Sequence, residues 1–477
     1  MTVRILFEPA QELSGEIVTQ FHLEKETVNL PVAARVPVNM GALSSVIQQY
    51  ESGTNPTATV VKDVGSALWS NIARHQNATE AFRDALNGAD SAVVRLTFTA
   101  LGDEARALPW ETMYSPHGFL AFGSQVPIIR EIPDTGRTAP LAIEAGMPFK
   151  LLAVIAAQGG DANSEWRALR RALQAAGGGM PTEVLVLSSS KAVVDDIKSA
   201  GTDGIAARKM PGSKQDLVHA IAEFAPHYAH FFCHGEPTGG NLVLENGGAE
   251  YGEERSLFLD LVDLKQSLLG TTWIVVLNAC SLAGDGADQS GETASLCEKL
   301  VQQGLPLVIG MRAPVSESNA NRFAEGFTGR ALAAIARTLE KPGTTDLNLG
   351  RCFAAACRDI LADNPQPPNA AAEVFREWSL PVYTTREGFG LIERPPPLPP
   401  EAAEMIAEDV LDGDTPRLDT LATLKREELA GELDMLSDLI AKLDSYAPHV
   451  IDGIEARIRE IKTALTGVPV QMTGHPG

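Results

Sequence analysis

Five short, continuously apolar runs recur through the middle of the chain: "KLLAVIAA" (150–157), "EVLVLSSS" (183–190), "HYAHFFCHG" (227–235), "TTWIVVLNAC" (271–280) and "LPLVIGMRAPV" (305–315). Amphipathic segments lie among them, such as "SEWRALRRALQAAG", "KQDLVHAIAEFA", "LVDLKQSLLG" and "SGETASLCEKLVQQG". A short run that is apolar at nearly every position reads as a strand buried on both faces. Alternation of such strands with helices marks a largely parallel sheet covered on both sides. The spacing therefore predicts a doubly wound α/β domain from about residue 148. Two more covering helices are expected in "SNANRFAEGFTGRALAAIARTLEK" and "LNLGRCFAAACRDILAD", and another strand in "WSLPVYTTRE", ending near 386.

The flanks differ in pattern. Residues 1–145 read as an N-terminal α/β domain: β-rich sequence ("VRILFEP", "EIVTQFHLEKETVNLPV"), then helical periodicity from "VVKDVGSALWSNIARHQ" onward, then the strand "SAVVRLTFTA". The main domain is expected over 148–392. "ERPPPLPP" at 393–400 continues neither helix nor ladder and is a stiff linker. Beyond it, Leu429, Leu433, Leu436, Ile440 and Leu443, then Ile451, Ile454, Ile458, Ile461 and Leu465, recur at alternating four and three. Residues 401–477 are thus expected to form a C-terminal helical hairpin and tail, docked on the body or on a partner.

Composition narrows the function. The 477 residues carry 39 basic against 61 acidic side chains, a formal charge of -22. Such a field repels phosphate backbones and anionic lipid, so neither nucleic acid nor membrane is expected as a direct partner. The N-terminal "MTVRILFEPAQELSG" lacks the pattern of an export signal, and no apolar stretch approaches the ~20 residues of a bilayer span. A soluble, cytoplasmic protein is the expectation. Five cysteines, at 233, 280, 297, 352 and 357, are odd in number and irregular in spacing, unlike a disulfide framework or paired zinc knuckles.

"HYAHFFCHG" concentrates three histidines and a cysteine, which raises the question of a zinc site. On a strand, His230 and His234 fall on one face, and His227 and Cys233 on the other, so four ligands from this segment do not converge. No second Cys/His cluster exists at suitable spacing. No metal or cofactor is expected.

A nucleophile site asks for less. His234 ends one apolar run, before Gly235. Cys280 ends another, before the Gly-rich loop "SLAGDGADQSGE". Ligands of doubly wound sheets bind at the carboxyl ends of the strands, so both residues point to one crevice. An imidazole activates a thiol by taking its proton, and backbone N–H groups stabilise the oxyanion. Gly235 and Cys280 are candidate donors. The competing reading is an inert buried Cys280 and a hydrogen-bonded core His234.

His-Gly in "FFCHG" and N-A-C-S in "LNACSLA", together with "RALPWETMY…GFLAFGSQVPIIRE" and "GETASLCEKLVQQGLPLVIGMRAPVSESNANRFAEGF", resemble the CHAT family of clan CD cysteine peptidases, relatives of caspases and separases. The similarity covers roughly 100–390 and implies a caspase-like fold. It further implies His234 as general base, Cys280 as nucleophile and a Gly235/Cys280 oxyanion hole, for endopeptidase hydrolysis of a protein substrate. It also implies an effector of a prokaryotic defence or signalling system, held in check by a regulatory or sensor protein; the amphipathic seams of the C-terminal helices suit either docking of that protein or packing on the chain's own body. The caspase Q-A-C-x-G signature is absent, so preference for aspartate is not implied. Asp285 and Asp288, with Glu292, read either as a pocket for a basic P1 residue or as a solvated loop and a helix-dipole partner. Trp110 and Glu111 of "LPWE" are expected to brace the interdomain junction. His230 reads as a core histidine or a support for His234, and Cys297, Cys352 and Cys357 as core. A catalytically silent caspase-like scaffold is the alternative function. A nucleotide-binding protein is disfavoured, because "AVIAAQGGDANSEW" matches no phosphate loop.

Overall fold

The structure, a computed structural model, describes residues 2–7, 11–13, 16–19, 21–25, 38–39, 50, 59–73, 93–98, 108–123, 127–133, 141–143, 147–156, 160–177, 180–235, 241–246, 255–279, 295–339, 343–347, 349–364, 371–373, 375–387, 389 and 391–394. The chain divides into two units, Met1–Pro395 and Pro396–Gly477, and all described residues belong to the first. The expected hairpin at 401–477 therefore lies outside the described residues.

Fourteen strands matter here: β1 (Thr2–Phe7), β2 (Phe21–Lys25), β3 (Val93–Phe98), β4 (Ile128–Ile132), β5 (Phe149–Ile155), β6 (Thr182–Ser188), β7 (Ile205–Lys209), β8 (Tyr228–Phe232), β9 (His234–Gly235), β10 (Leu242–Asn246), β11 (Arg255–Leu259), β12 (Ile274–Asn278), β13 (Leu307–Met311) and β14 (Pro381–Arg386). The helices are α1 (Val60–Ala73), α2 (Leu120–Gly123), α3 (Ala162–Ala176), α4 (Lys191–Ala200), α5 (Lys214–Phe224), α6 (Leu261–Leu268), α7 (Leu296–Gln302), α8 (Glu317–Leu339) and α9 (Gly350–Asp359). The five apolar runs become β5, β6, β8, β12 and β13.

One 11-stranded sheet runs β7-β6-β5-β8-β12-β13-β14-β4-β3-β1-β2. Its first six strands are all parallel and follow the 3-2-1-4-5-6 order of a doubly wound sheet. The strand after the covering helices, β14, returns antiparallel to β13 and pairs in parallel with β4, so β14 joins the N-terminal strands to the rest. Residues on either side of position 145 thus share a sheet.

Continuous apolarity has its expected cause. Leu151, Ala153 and Ile155 of β5 join the core beneath α3, α4, α8 and α9, while Leu152 and Val154 join that beneath α5, α6 and α7. Both faces are buried, so each position must be apolar. Among the described residues, no helix is long and apolar enough to cross a membrane.

The N-terminal segment is locked to this sheet by the "LPWE" turn. Trp110 is fully buried and Glu111 nearly so. Arg130 of β4 donates from Nε to Glu111 Oε1 (2.9 Å) and from Nη2 to Glu111 Oε2 (3.2 Å) and to the Leu108 carbonyl (2.9 Å). Arg312, just past β13, donates to the same carbonyl at 3.2 Å and approaches Glu111 Oε2 at 3.7 Å. Helix α1 lies against this turn so closely that a Cβ at Gly65 would sit 1.9 Å from the Thr112 carbonyl oxygen. Gly65→Ala is therefore expected to destabilise the protein by about 1–3 kcal/mol, despite alanine's better helix propensity. Urea denaturation checks this, and an unchanged midpoint refutes it.

Candidate active site

The carboxyl ends of β8 and β12 are adjacent. The two strands are parallel neighbours whose register pairs His230 with Val276 and Phe232 with Asn278. The chain then passes to His234 two residues beyond Phe232, and in sequence to Cys280 two residues beyond Asn278. His234 and Gly235 are described. Cys280, Asp285, Asp288 and Glu292 lie outside the described residues.

Two expectations about this segment need correcting. Strand β8 ends at Phe232, a bend follows at Cys233, and His234–Gly235 open a second, three-stranded sheet as β9. There His234 pairs antiparallel with Val243 and Gly235 with Leu242. His234 therefore does not close its apolar run, and strand alternation does not carry from His230 to His234. Its side chain is exposed. Strand β10 borders the crevice, with the Glu245 N–H donating to the Ala156 carbonyl at 3.0 Å, just past β5.

His227 is likewise outside the alternation. Cys233 packs with Ala229 and Phe231 in the core beneath α5, α6 and α7. His227 precedes β8 at the sheet's opposite, amino-terminal edge. Its ring lies 5.3 Å from that of Phe149 and 5.4 Å from that of Trp273, and its Nδ1 accepts the Lys150 N–H at 2.9 Å. Burial, then the Lys150 charge, pushes its pKa down to about 4. The unfolded chain, with a value near 6.5, binds this proton first, so the stabilisation is complete above ~6.5 and declines as pH falls toward 4. Partial exposure reduces the effect to roughly 1–3 kcal/mol. We expect His227→Gln to flatten the wild-type decline in urea midpoint between pH 7 and 4.5, and parallel curves would refute this.

Of the remaining cysteines, Cys297 and Cys357 are core residues, and Cys352 is partly buried against the core. Cys297 is fully buried in the first turn of α7 rather than mid-helix, and burial pushes its thiol up. Burial does the same for Cys357 and Cys352.

Sequence reading missed two polar residues below the site. Glu165, in the first turn of α3, and Asn278, the last residue of β12, are buried with His230. Glu165 Oε1 lies 2.5 Å from His230 Nε2 and 3.2 Å from Asn278 Nδ2. The signal was present: Glu165 shares the apolar stripe of Leu169 and Ala172, where a carboxylate has no place without buried partners.

These features define an α/β protein with a mostly parallel sheet and a candidate site at the carboxyl ends of its central strands. A family profile described as "CHAT domain" matches residues 62–341, more than half of the sequence, and the chain belongs to that family. Among solved structures, the chain is similar to the Arg-specific cysteine proteinase gingipain R, at 11% identity and a TM-score of 0.39, covering 66% of this chain and 68% of that one. A complex of the pro- and mature domains of Porphyromonas gingivalis RgpB matches at 12% identity and 0.39, covering 68% and 72%. The Saccharomyces cerevisiae separase–securin complex matches at 9% identity and 0.42, covering 83% of this chain but 30% of that one. No curated protein sequence matches the chain.

Proposed function

We propose that this protein is a cysteine endopeptidase in which Cys280 attacks the scissile carbonyl of a protein substrate and His234 acts as base. One observation carries the reading: β8 and β12 are in-register parallel neighbours whose carboxyl ends lead, two residues on, to His234 and Cys280. Membership of the CHAT family supports it. The imidazole takes the thiol proton, the thiolate forms a thioester acyl-enzyme, and the proton passes to the leaving amine before water releases the acid. Backbone N–H groups of Gly235 and Cys280 are the proposed oxyanion donors, and Asp285 and Asp288 the proposed lining of a P1 pocket. Residues 148–392 would carry the catalytic part and 1–145 an accessory domain. After the 393–400 linker, 401–477 would supply a helical hairpin that receives a regulatory protein. We assign the protein to the cytoplasm, as a regulated effector in prokaryotic defence or signalling.

A thiol-directed electrophile tests the core of this reading on the full chain, because the other cysteines are largely buried. Wild type is expected to label at neutral pH and Cys280→Ala to remain unlabelled. Equal labelling, with neighbouring-gene products present, refutes the peptidase and leaves the catalytically silent scaffold. Unbiased profiling of cleaved peptides then reads the P1 preference.

A further inference from the structure

The buried cluster of Glu165, His230 and Asn278 has no part in nucleophilic attack, yet its composition is costly. All three side chains are almost wholly shielded from solvent. Glu165 Oε1 accepts the Asn278 amide N–H and lies within hydrogen-bond distance of His230 Nε2. Among the described residues, His230 Nδ1, Glu165 Oε2 and Asn278 Oδ1 have no hydrogen-bond partner. A core that needed only stability would be better built from apolar side chains of similar volume, since each unpartnered buried polar atom carries its full desolvation cost.

What the cluster does join is specific. His230 lies on β8 and Asn278 ends β12, while Glu165 descends from the start of α3. That helix start is itself fixed. Asp161 caps it by accepting the Asn163 N–H at 3.0 Å and the Ser164 N–H at 3.2 Å, and the Asp161 N–H donates to Glu317 Oε1 of α8 at 2.9 Å. A capped helix terminus thus reaches across two neighbouring strands directly below the points from which the chain leaves for His234 and Cys280.

We infer that Glu165 is a positioning residue for the proposed reaction, its carboxylate holding the carboxyl ends of β8 and β12 in one fixed arrangement through His230 and Asn278. The inference rests on the His234–Cys280 reading. Misplacement of reacting groups by about 1 Å is enough to slow an enzyme ~10²-fold, so the network would act on kcat while leaving substrate affinity alone.

Three variants of the full chain test it. Glu165→Met removes the carboxylate and is expected to lower kcat by roughly 10–100-fold with KM little changed. Glu165→Gln keeps an oxygen at the same place and is expected to restore most of kcat. The triple replacement Glu165→Met/His230→Leu/Asn278→Leu removes every buried polar atom of the cluster. It is expected to match the wild-type thermal midpoint while staying slow, a separation that a merely structural role does not produce. Wild-type kcat in Glu165→Met overturns the inference, as does a triple variant that regains rate together with stability. Should the triple variant not fold, the Met and Gln variants decide between them, each read against its own thermal midpoint. Cys280→Ala separates the two failures. A wild type no faster than Cys280→Ala refutes the dyad and this inference with it, whereas an active wild type with unaffected Glu165 variants refutes only this one.

Discussion

Cys280→Ala is expected to reduce kcat/KM for the best cleaved peptide to the buffer background, and His234→Ala to reduce it by about 10²–10⁴-fold. The reason for the asymmetry is chemical. In the proposed mechanism, loss of Cys280 leaves no atom to form the acyl-enzyme, whereas loss of His234 leaves the thiol and removes only its activation and the protonation of the leaving amine. Two groups that act on one proton are also expected to be non-additive: the double variant should be no slower than Cys280→Ala alone. Single-turnover cleavage by all three proteins measures this. His234→Ala cleaving at the wild-type rate would mean that the imidazole does not activate the thiol, which would break the dyad. Exposure of His234 in β9 and its place beyond the bend at Cys233 fit a group that must meet substrate.

The second large effect is on stability. Glu111→Ala is expected to cost about 3–5 kcal/mol, because it leaves Arg130 and Arg312 buried without the carboxylate both approach. Glu111→Gln keeps hydrogen-bonding capacity and should cost less. Urea unfolding followed by circular dichroism gives the comparison, and an Ala variant within about 1 kcal/mol of wild type, the typical value of an exposed pair, would show that the cluster is not holding the junction. The pH dependence has a defined sign. Burial pushes the Glu111 carboxyl up, but Arg130 and then Arg312 hold it below the usual carboxylate value. Its folded pKa is depressed, so its stabilisation is present above the unfolded value of ~4.3 and is lost as pH falls through the folded one. Acid unfolding of wild type below about pH 4 should therefore be steeper than that of Glu111→Gln.

Local hydrophobic patterning is enough to identify the central strands and their covering helices. Runs such as "KLLAVIAA" and "WIVVLNA" are apolar on both alternating faces, which only a strand covered on two sides requires, and β5 and β12 are such strands. Patterning alone also makes His234 and Cys280 the last residues of two of those runs, which the bend at Cys233 corrects for His234. Local periodicity reports burial, however, and says nothing of which strand lies beside which. Only the tertiary structure put β8 against β12 in register, returned β14 antiparallel, and so extended one sheet from β7 to β2. Only the tertiary structure ended β8 at Phe232 and carried His234 into a second sheet, because the pairing of β9 with β10 depends on residues further along the chain. The same holds for Glu165, His230 and Asn278. Separated by 65 and 113 positions from Glu165, the two partners become visible only when helix α3 sets its carboxylate between their strands.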